Sequence, residues 1–600
     1  MAGRWAWHAP RLPWAAPVGP ETLCVRAVTA RGAFRRGWVA FGDRYGGPRR
    51  EADMHLLGRQ GDREHWEVRL HLPTRRFAYR LRWEDRSGAA HTLGPEGWGP
   101  GGEFQYPYIA DGDLPSPPAW ASGAVLYQVF PDRFDNGDLT NDPPGTLPWG
   151  APPGPHTFFG GDLAGVRRRL PHLADLAVDG LYLNPIFASP STHRYDTTNY
   201  FAVDPALGSE AELRALVAEA HAAGLAVVLD GVFNHSGAGF APFRDVQQRG
   251  AASPYWDWFR IAGTEIGAPP NYETFASGIA SMPKLMTQRP AVRDYLLRVA
   301  DYWTRRVGVD GWRLDVANEV DHAFWRAFRT AVRAVRPDAL LIGEIWHDPL
   351  EFLDGSQFDG AMDYRWRAAV LDLAAGRRGV AAFAEAMVAL HSGTPPLAEP
   401  CMMRLVGSHD VSRVRTEVGG DARRALFTAG LQLCWPGMPS IYYGDEVGME
   451  GRGDPGSRGC MDWAPDATGR AMHARYRELC RLRRQSPALR AGGLREVHCD
   501  DRTGHYAFLR THAAGDVLVA LNAGTRPWRV PLGGAARRLD AGGTGPHPGR
   551  TAALPPWECG LWSLAAGGTA RGRPAAALEL ATDAPPPEGM PWGPPVDGAS

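Results

Sequence analysis

The sequence predicts an α/β protein: a (β/α)8 TIM barrel carrying an inserted segment after its third strand, between an N-terminal and a C-terminal β-sandwich. Three observations predict it. The chain has 600 residues, too many for one compact domain. Eight apolar segments of strand length alternate with amphipathic stretches through its middle. On either side of them the texture changes to short alternating strands with Gly-bearing turns.

Taken in order, residues 1–115 form the first sandwich, because HWEVRLHLP and FAYRLRWED alternate apolar and polar side chains. The proline-rich DGDLPSPPAWAS (111–122) reads as a linker into the barrel domain, 116–490. The strand candidates there are AVLYQVF, DGLYLNPIF, GLAVVLDGVFN, GWRLDV, LLIGEIW, FDGAMDY, MMRLVGSHD and MPSIYYGDE. Helical patterns such as EAELRALVAEAHAAG and PAVRDYLLRVADYWTRRVG separate many of them. This region exceeds the roughly 250 residues of a plain barrel, so it holds insertions, the clearest at about 236–288 with the aromatic cluster YWDWF. HYAFLRTH and VLVALNAG place the second sandwich at 491–565, and the Ala/Gly/Pro-rich 566–600 reads as a disordered tail.

Composition narrows the function. With 65 basic against 66 acidic residues the net charge is −1, which argues against nucleic acid or an anionic membrane as partner and for a neutral substrate. Lys284 is the sole lysine, most simply a codon bias toward arginine. Seven cysteines without a CxxC spacing indicate neither a disulfide framework nor a zinc site. The N-terminus lacks a secretory pattern and no apolar run reaches membrane-spanning length, so the expectation is a cytoplasmic protein.

The strand candidates end in a telling set of residues: DGVFNH (230–235), GWRLD (311–315), GEIW (343–346) and GSHD (407–410). Barrel chemistry belongs at such ends. Arg313 and Asp315 are two apart and face the same way on a strand, so a permanent cation is expected to keep the Asp315 carboxylate ionised. Asp315, Glu344 and Asp410 then converge on one mouth. Cleaving a bond between sugars calls for that: one carboxylate to attack the anomeric carbon, and one acid, here Glu344 among other carboxylates, to protonate the leaving oxygen. A separation of about 5–5.5 Å between the two would accord with retention. Any one such residue is more often a local hydrogen-bonding group; four strand ends in this order are not.

Those ordered motifs resemble the signature regions of the α-amylase family of glycoside hydrolases, over roughly residues 20–565. MPKL (282–285), VANE (316–319) and the β-rich N-terminal domain resemble its neopullulanase, cyclomaltodextrinase and maltogenic amylase subgroup. The resemblance implies Asp315 as nucleophile, Glu344 as general acid/base and Asp410 as transition-state stabiliser. It implies Tyr195 as a platform for the sugar at the cleavage point, with His235, Arg313 and His409 around that ring. Trp346 is implied on the acceptor side, Asp454 and Arg458 as a donor-side pair, and Asn318 and Glu319 at the acceptor pocket, where a solvated helix start is nearly as good a reading. Relatives usually continue MPKL with Asn; here Met286 follows, which puts a polar contact near the insertion in doubt. The activity implied is retaining hydrolysis of α-1,4 linkages in cyclodextrins, pullulan and malto-oligosaccharides, with some transglycosylation. The rivals are an α-1,6-acting glucosidase or glucanotransferase on the same barrel, and a non-catalytic glucan-binding protein.

A second constellation follows the first strand: Asn136, Asp138, Asn141 and Asp142, then Gly160 and Asp162. Its oxygens suit a hard cation such as Ca²⁺, though the spacing is not that of an EF-hand and fits a polar turn equally well. The resemblance favours a structural calcium, with Gly160 lending its carbonyl. It also implies a starch-binding type of N-terminal domain that builds a homodimer. Trp5, Trp7, Trp14, Trp38, Trp66, Trp83 and Trp98 are candidate sugar platforms there, most of them better read as packing.

Overall fold

The computed structural model describes residues 5–532, 536–540 and 551–564; the segment 566–600, read as a disordered tail, lies outside the described residues. At its centre are eight strands: β1 (Leu126–Val129), β2 (Gly180–Leu183), β3 (Ala226–Gly231), β4 (Gly311–Leu314), β5 (Leu340–Gly343), β6 (Gly360–Ala361), β7 (Met403–Leu405) and β8 (Met438–Tyr442). They pair in the order β6-β5-β4-β3-β2-β1-β8-β7, every neighbour parallel. A parallel bridge between Met362 and Met403 joins β6 to β7 and closes the ring. All eight correspond to the strand candidates.

Period-two alternation sorts the side chains. Leu126, Tyr182, Val228, Leu340, Ile342, Met403, Leu405 and Met438 form one buried cluster that fills the barrel. Their neighbours Tyr127, Leu181, Val227, Trp312, Leu314 and Leu341 join the larger core beneath the helices. The helix His322–Val335 shows how that outer layer is built. Asp321 caps it by accepting from the Phe324 amide at 2.8 Å, and Phe324, Trp325, Phe328 and Val332 form its buried stripe.

The segment after β3 leaves the barrel, forms the helix Ala241–Arg249, and returns through antiparallel bridges between His235 and Lys284 and between Phe259 and Leu285. It is thereby fastened to the end of β3, at the mouth. On the N-terminal side, two antiparallel sheets, centred on Thr22–Ala30 and Phe77–Asp85, enclose Leu23, Val25, Leu70, Tyr79, Leu81 and Trp83. Of its seven tryptophans only Trp38, Trp66 and Trp83 are buried, and Trp7 and Trp98 are each 44% exposed. Trp5 and Trp14 are half-buried, and Trp7 packs edge-on against Trp14 while Trp98 lies against Phe34, so packing accounts for most of the seven and leaves Trp7 and Trp98 as the exposed rings.

Arg26 links this domain to the barrel. Its buried guanidinium holds Glu67 at 2.7 Å and donates to the carbonyls of Ser392 (3.1 Å) and Thr394 (2.7 Å), at the end of the helix Val380–Gly393. Beyond the barrel, a five-stranded sheet and a two-stranded one form the C-terminal region. All seven cysteines are free, and among the described residues no helix is long and apolar enough to cross a membrane.

Candidate active site

The register of the parallel strands assembles the mouth. Asp230 on β3 pairs with Arg313 on β4, and Leu314 pairs with Gly343 on β5, so Asp315 and Glu344 leave adjacent strands side by side. Arg313 is fully buried and gathers the acids. Nη1 donates to Asp230 Oδ1 and to Asp315 Oδ1, both at 2.9 Å, and Nη2 lies 2.9 Å from Glu344 Oε1. Asp410, after β7, is half-buried and lies 3.1 Å from His409 Nε2 and 3.4 Å from Arg458 Nη2.

Proton affinities follow from this crowding. Burial pushes the Asp315 carboxyl well above the usual range; Arg313 pulls it down, and Glu344, Asp230 and Asp410 push it up again. The expectation that Arg313 alone would keep Asp315 ionised is therefore corrected, because three carboxylates divide one guanidinium. Burial and then Glu344 push Asp410 up to about 7, against Arg313 and Arg458. Asp230 is raised by burial too, despite Arg313. Crowding and burial together thus disfavour ionising all of these carboxyls at once. The histidines stay neutral: burial lowers His235 to about 3, and burial with Arg458 and Arg313 takes His409 well below its ordinary value.

Around the acids the remaining residues take distinct places. Tyr195 is buried, donates to Asp230 Oδ2 at 2.9 Å, bonds His409 Nε2, and stacks parallel to the His409 ring. His235 stacks on Phe275 at 4.9 Å, and its Nε2 is buried without a partner, an open donor or acceptor for a hydroxyl. Trp346, 49% exposed, lies against Tyr364 with centroids 3.8 Å apart. Arg458 reaches the His409 carbonyl at 2.9 Å and Asp454 Oδ1 at 3.0 Å, which links Asp454 through Arg458 to Asp410.

Asn318 and Glu319 are exposed, and Lys284 Nζ donates to Glu319 Oε2 at 2.9 Å. The two ionic partners border a groove of about 690 Å³ whose far wall includes Tyr272, Glu273 and Ser277 of the insertion. Met286 gives its amide to the Trp258 carbonyl at 2.9 Å, and its sulfur accepts weakly from Gln288, so an apolar chain occupies the position in question. Sequence reasoning assigned no role to Asp230, Tyr182 or Asn184. Tyr182 donates to Asp230 at 2.7 Å and Asn184 to Tyr195 at 3.0 Å, and both orient groups of the mouth. The position of Asp230 within DGVFNH was the available signal.

The loop after β1 brings its six candidates close, with different duties. Asp162 caps a helix at the Gly165 amide (2.6 Å) and receives the amides of Gly137 and Asp138. Asp138 is engaged by Thr140. The side-chain oxygens of Asn136 and Asn141 are buried without partners, and Asn136 Nδ2 donates to Asp142 at 2.8 Å. Gly160 has φ +77°, and a Cβ there would lie 2.1 Å from Asp142 Oδ1, so the loop closes tightly on its backbone. Among the described residues no three His, Cys, Asp or Glu side chains are arranged for a metal. Orphaned amide oxygens beside a carboxylate nevertheless fit a hard, oxygen-seeking cation.

An eight-stranded parallel barrel whose β3, β4 and β5 acids share one buried arginine, with Asp410 following β7, defines a glycoside hydrolase, and the chain belongs to the alpha-amylase family. The family's catalytic-domain model matches residues 128–477 and its N-terminal Ig-like domain model residues 1–110. Neopullulanase 2 of Thermoactinomyces vulgaris is 42% identical over 527 residues, 86% of this chain and 90% of that protein. Intracellular maltogenic amylase of Bacillus subtilis is 40% identical over 432 residues, 72% of this chain and 73% of that protein. A solved cyclomaltodextrinase superposes with a TM-score of 0.87 at 36% identity, covering 93% of this chain and 99% of that one.

Proposed function

We propose that this enzyme is a retaining α-glucan hydrolase that cleaves α-1,4 linkages in cyclodextrins, pullulan and malto-oligosaccharides and transfers some glycosyl units to sugar acceptors. One observation carries the reading: Asp315 and Glu344, from adjacent strands, grip the two terminal nitrogens of one buried guanidinium. In the first step an Asp315 oxygen attacks the anomeric carbon while the Glu344 proton passes to the departing oxygen. A β-linked glucosyl ester and a free sugar hydroxyl result. In the second, Glu344 takes a proton from water or an acceptor hydroxyl, whose oxygen displaces Asp315 and restores the α configuration. Asp410, His409 and His235 hold ring hydroxyls as the ring flattens, with Tyr195 beneath it. Trp346 lines the acceptor side, and Asp454 with Arg458 the donor side. Chromatography of pullulan digests tests the linkage: panose is expected, and maltotriose would mean that α-1,6 bonds are cut.

Three further parts belong to this reading. Asn136, Asn141, Asp142 and the Gly160 carbonyl would hold a structural Ca²⁺, with Asp138 and Asp162 shaping the loop; the ion would neutralise the crowded oxygens. Calcium-dependent thermal stabilisation that is absent with magnesium checks it. The N-terminal domain would build a homodimer, which light scattering reads as twice 65.3 kDa. A cytoplasmic location accords with seven free cysteines and with the relative named as intracellular; cell fractionation tests it.

A further inference from the structure

We propose that Trp346 and the backbone of Val316 clamp Glu344 from its two oxygens, and that the indole N–H of Trp346 is a positioning group through which acceptor binding governs proton delivery. The proposal rests on Glu344 being the acid/base. Glu344 Oε1 receives the Trp346 indole N–H at 3.2 Å beside Arg313 Nη2 at 2.9 Å, and Oε2 receives the Val316 amide at 2.9 Å.

Val316 has φ 44° and ψ 44°, a left-handed conformation that a β-branched residue adopts only under strain. That turn, directly after Asp315, swings the amide back toward Glu344. The Ala317 amide also donates to the Glu344 carbonyl at 3.1 Å, so side chain and backbone of the acid are both fastened to the chain leaving β4.

Trp346 supplies the other jaw. Tyr364 covers one face of the indole at 7° from parallel, while half of the residue stays open to solvent. A large exposed ring whose polar edge holds the acid is suited to two tasks at once. A sugar stacked on the ring would immobilise the indole, and the indole N–H would then fix the plane in which Glu344 presents its proton. The other groups facing Glu344 are charged or ionisable: Arg313, Asp315 and Asp410, with Tyr182 and Tyr364. The indole and the Val316 amide are the neutral donors of the set, so their hold does not lapse with pH.

The test compares two substrates by kcat/KM, which reports the first chemical step. A malto-oligosaccharide needs its leaving oxygen protonated; α-maltosyl fluoride does not, because fluoride departs as the anion. Trp346→Phe keeps a ring on Tyr364 and removes the N–H. Its activity on the oligosaccharide should fall about tenfold, as for loss of a hydrogen bond to a charged group, with the fluoride rate retained. Trp346→Leu, lacking the ring as well, should raise KM for both substrates. Equal losses on both substrates in Trp346→Phe, or no loss on either, overturn the clamp. Wild-type enzyme inert toward both overturns the reading of the site itself, and the clamp with it.

Discussion

Two buried arginines, Arg313 in the barrel mouth and Arg26 at the junction with the N-terminal domain, sit among carboxylates with opposite results. At the junction two acids, Glu67 and Glu399, share Arg26 and His391, and Arg404 lies 3.5 Å from Glu399. Burial pushes Glu67 up, but Arg26 at 2.7 Å and His391 outweigh it and hold the carboxyl down at about 2. Glu399 is likewise held low, with His391 Nδ1 2.7 Å away. In the mouth Asp230, Asp315 and Glu344 divide a single guanidinium, so burial wins and Asp315 and Asp230 are raised. The same side chains serve structure where charges balance and reactivity where they do not. A site that must hold and release a proton is built by leaving anions in surplus.

The largest effect is expected from removing the surplus anion proposed to attack. Asp315→Asn should lower turnover of cyclodextrin by more than about 10³-fold, since an amide cannot form the ester. Its thermal midpoint at pH 7 should be unchanged or higher, because an anion that burial disfavours has been neutralised. Near-normal turnover, with a contaminating activity excluded, would break the contrast between the two arginines.

At the junction the opposite outcome is expected. Arg26→Met leaves Glu67 buried with only histidines, each 4.0 Å away, beside it, a change that costs on the order of 3–5 kcal/mol. Glu67 is depressed below its ordinary 4.5, so its contribution is present above that value and is lost as pH falls through about 2. Without Arg26 the acid limb of the stability profile should therefore start at higher pH. Activity per folded molecule should be unaltered. Urea melts between pH 3 and 8 check the first point and active-site titration the second.

Much of this was legible in the chain because parallel barrel strands, buried on both faces, read as near-continuous apolar runs. Chemistry at strand ends follows from the fold, so DGVFNH, GWRLD, GEIW and GSHD marked the mouth before any coordinate did. What escaped depends on register and on counting neighbours. Asp230 meets Arg313 through the pairing of β3 with β4. The proton affinity of Asp315 is set first by burial and then by Arg313 against acids from three other strand ends, whereas the sequence displays Arg313 two residues away and nothing else. Val316 looks like one more apolar residue after a strand, and its left-handed turn toward Glu344 has no compositional mark. The loop after β1 shows the same limit from the other side. Its residues were identifiable as oxygen donors, but that Asp162 is engaged by backbone amides while the Asn136 and Asn141 oxygens are orphaned depends on how the loop folds.

The smallest effect sharpens the comparison most, because it separates stability from catalysis in one residue. Asp410 is raised from 3.8 to about 7 by burial and by Glu344. A carboxyl whose folded value lies above its unfolded one favours the native state fully below about 3.8 and loses that contribution as pH rises through about 7. Asp410→Asn is neutral throughout, so it should be more stable than the wild type at pH 8 by up to about 4 kcal/mol, with the gain nearly gone near pH 4. Hydrolysis at pH 8 should fall steeply, because the carboxylate proposed to hold a sugar hydroxyl is gone. Paired thermal melts at pH 4 and 8 decide the matter. A gain of equal size at both would mean that packing rather than charge separates the variants. A loss at pH 8 would mean that Arg458, 3.4 Å away, balances Asp410 as Arg26 balances Glu67.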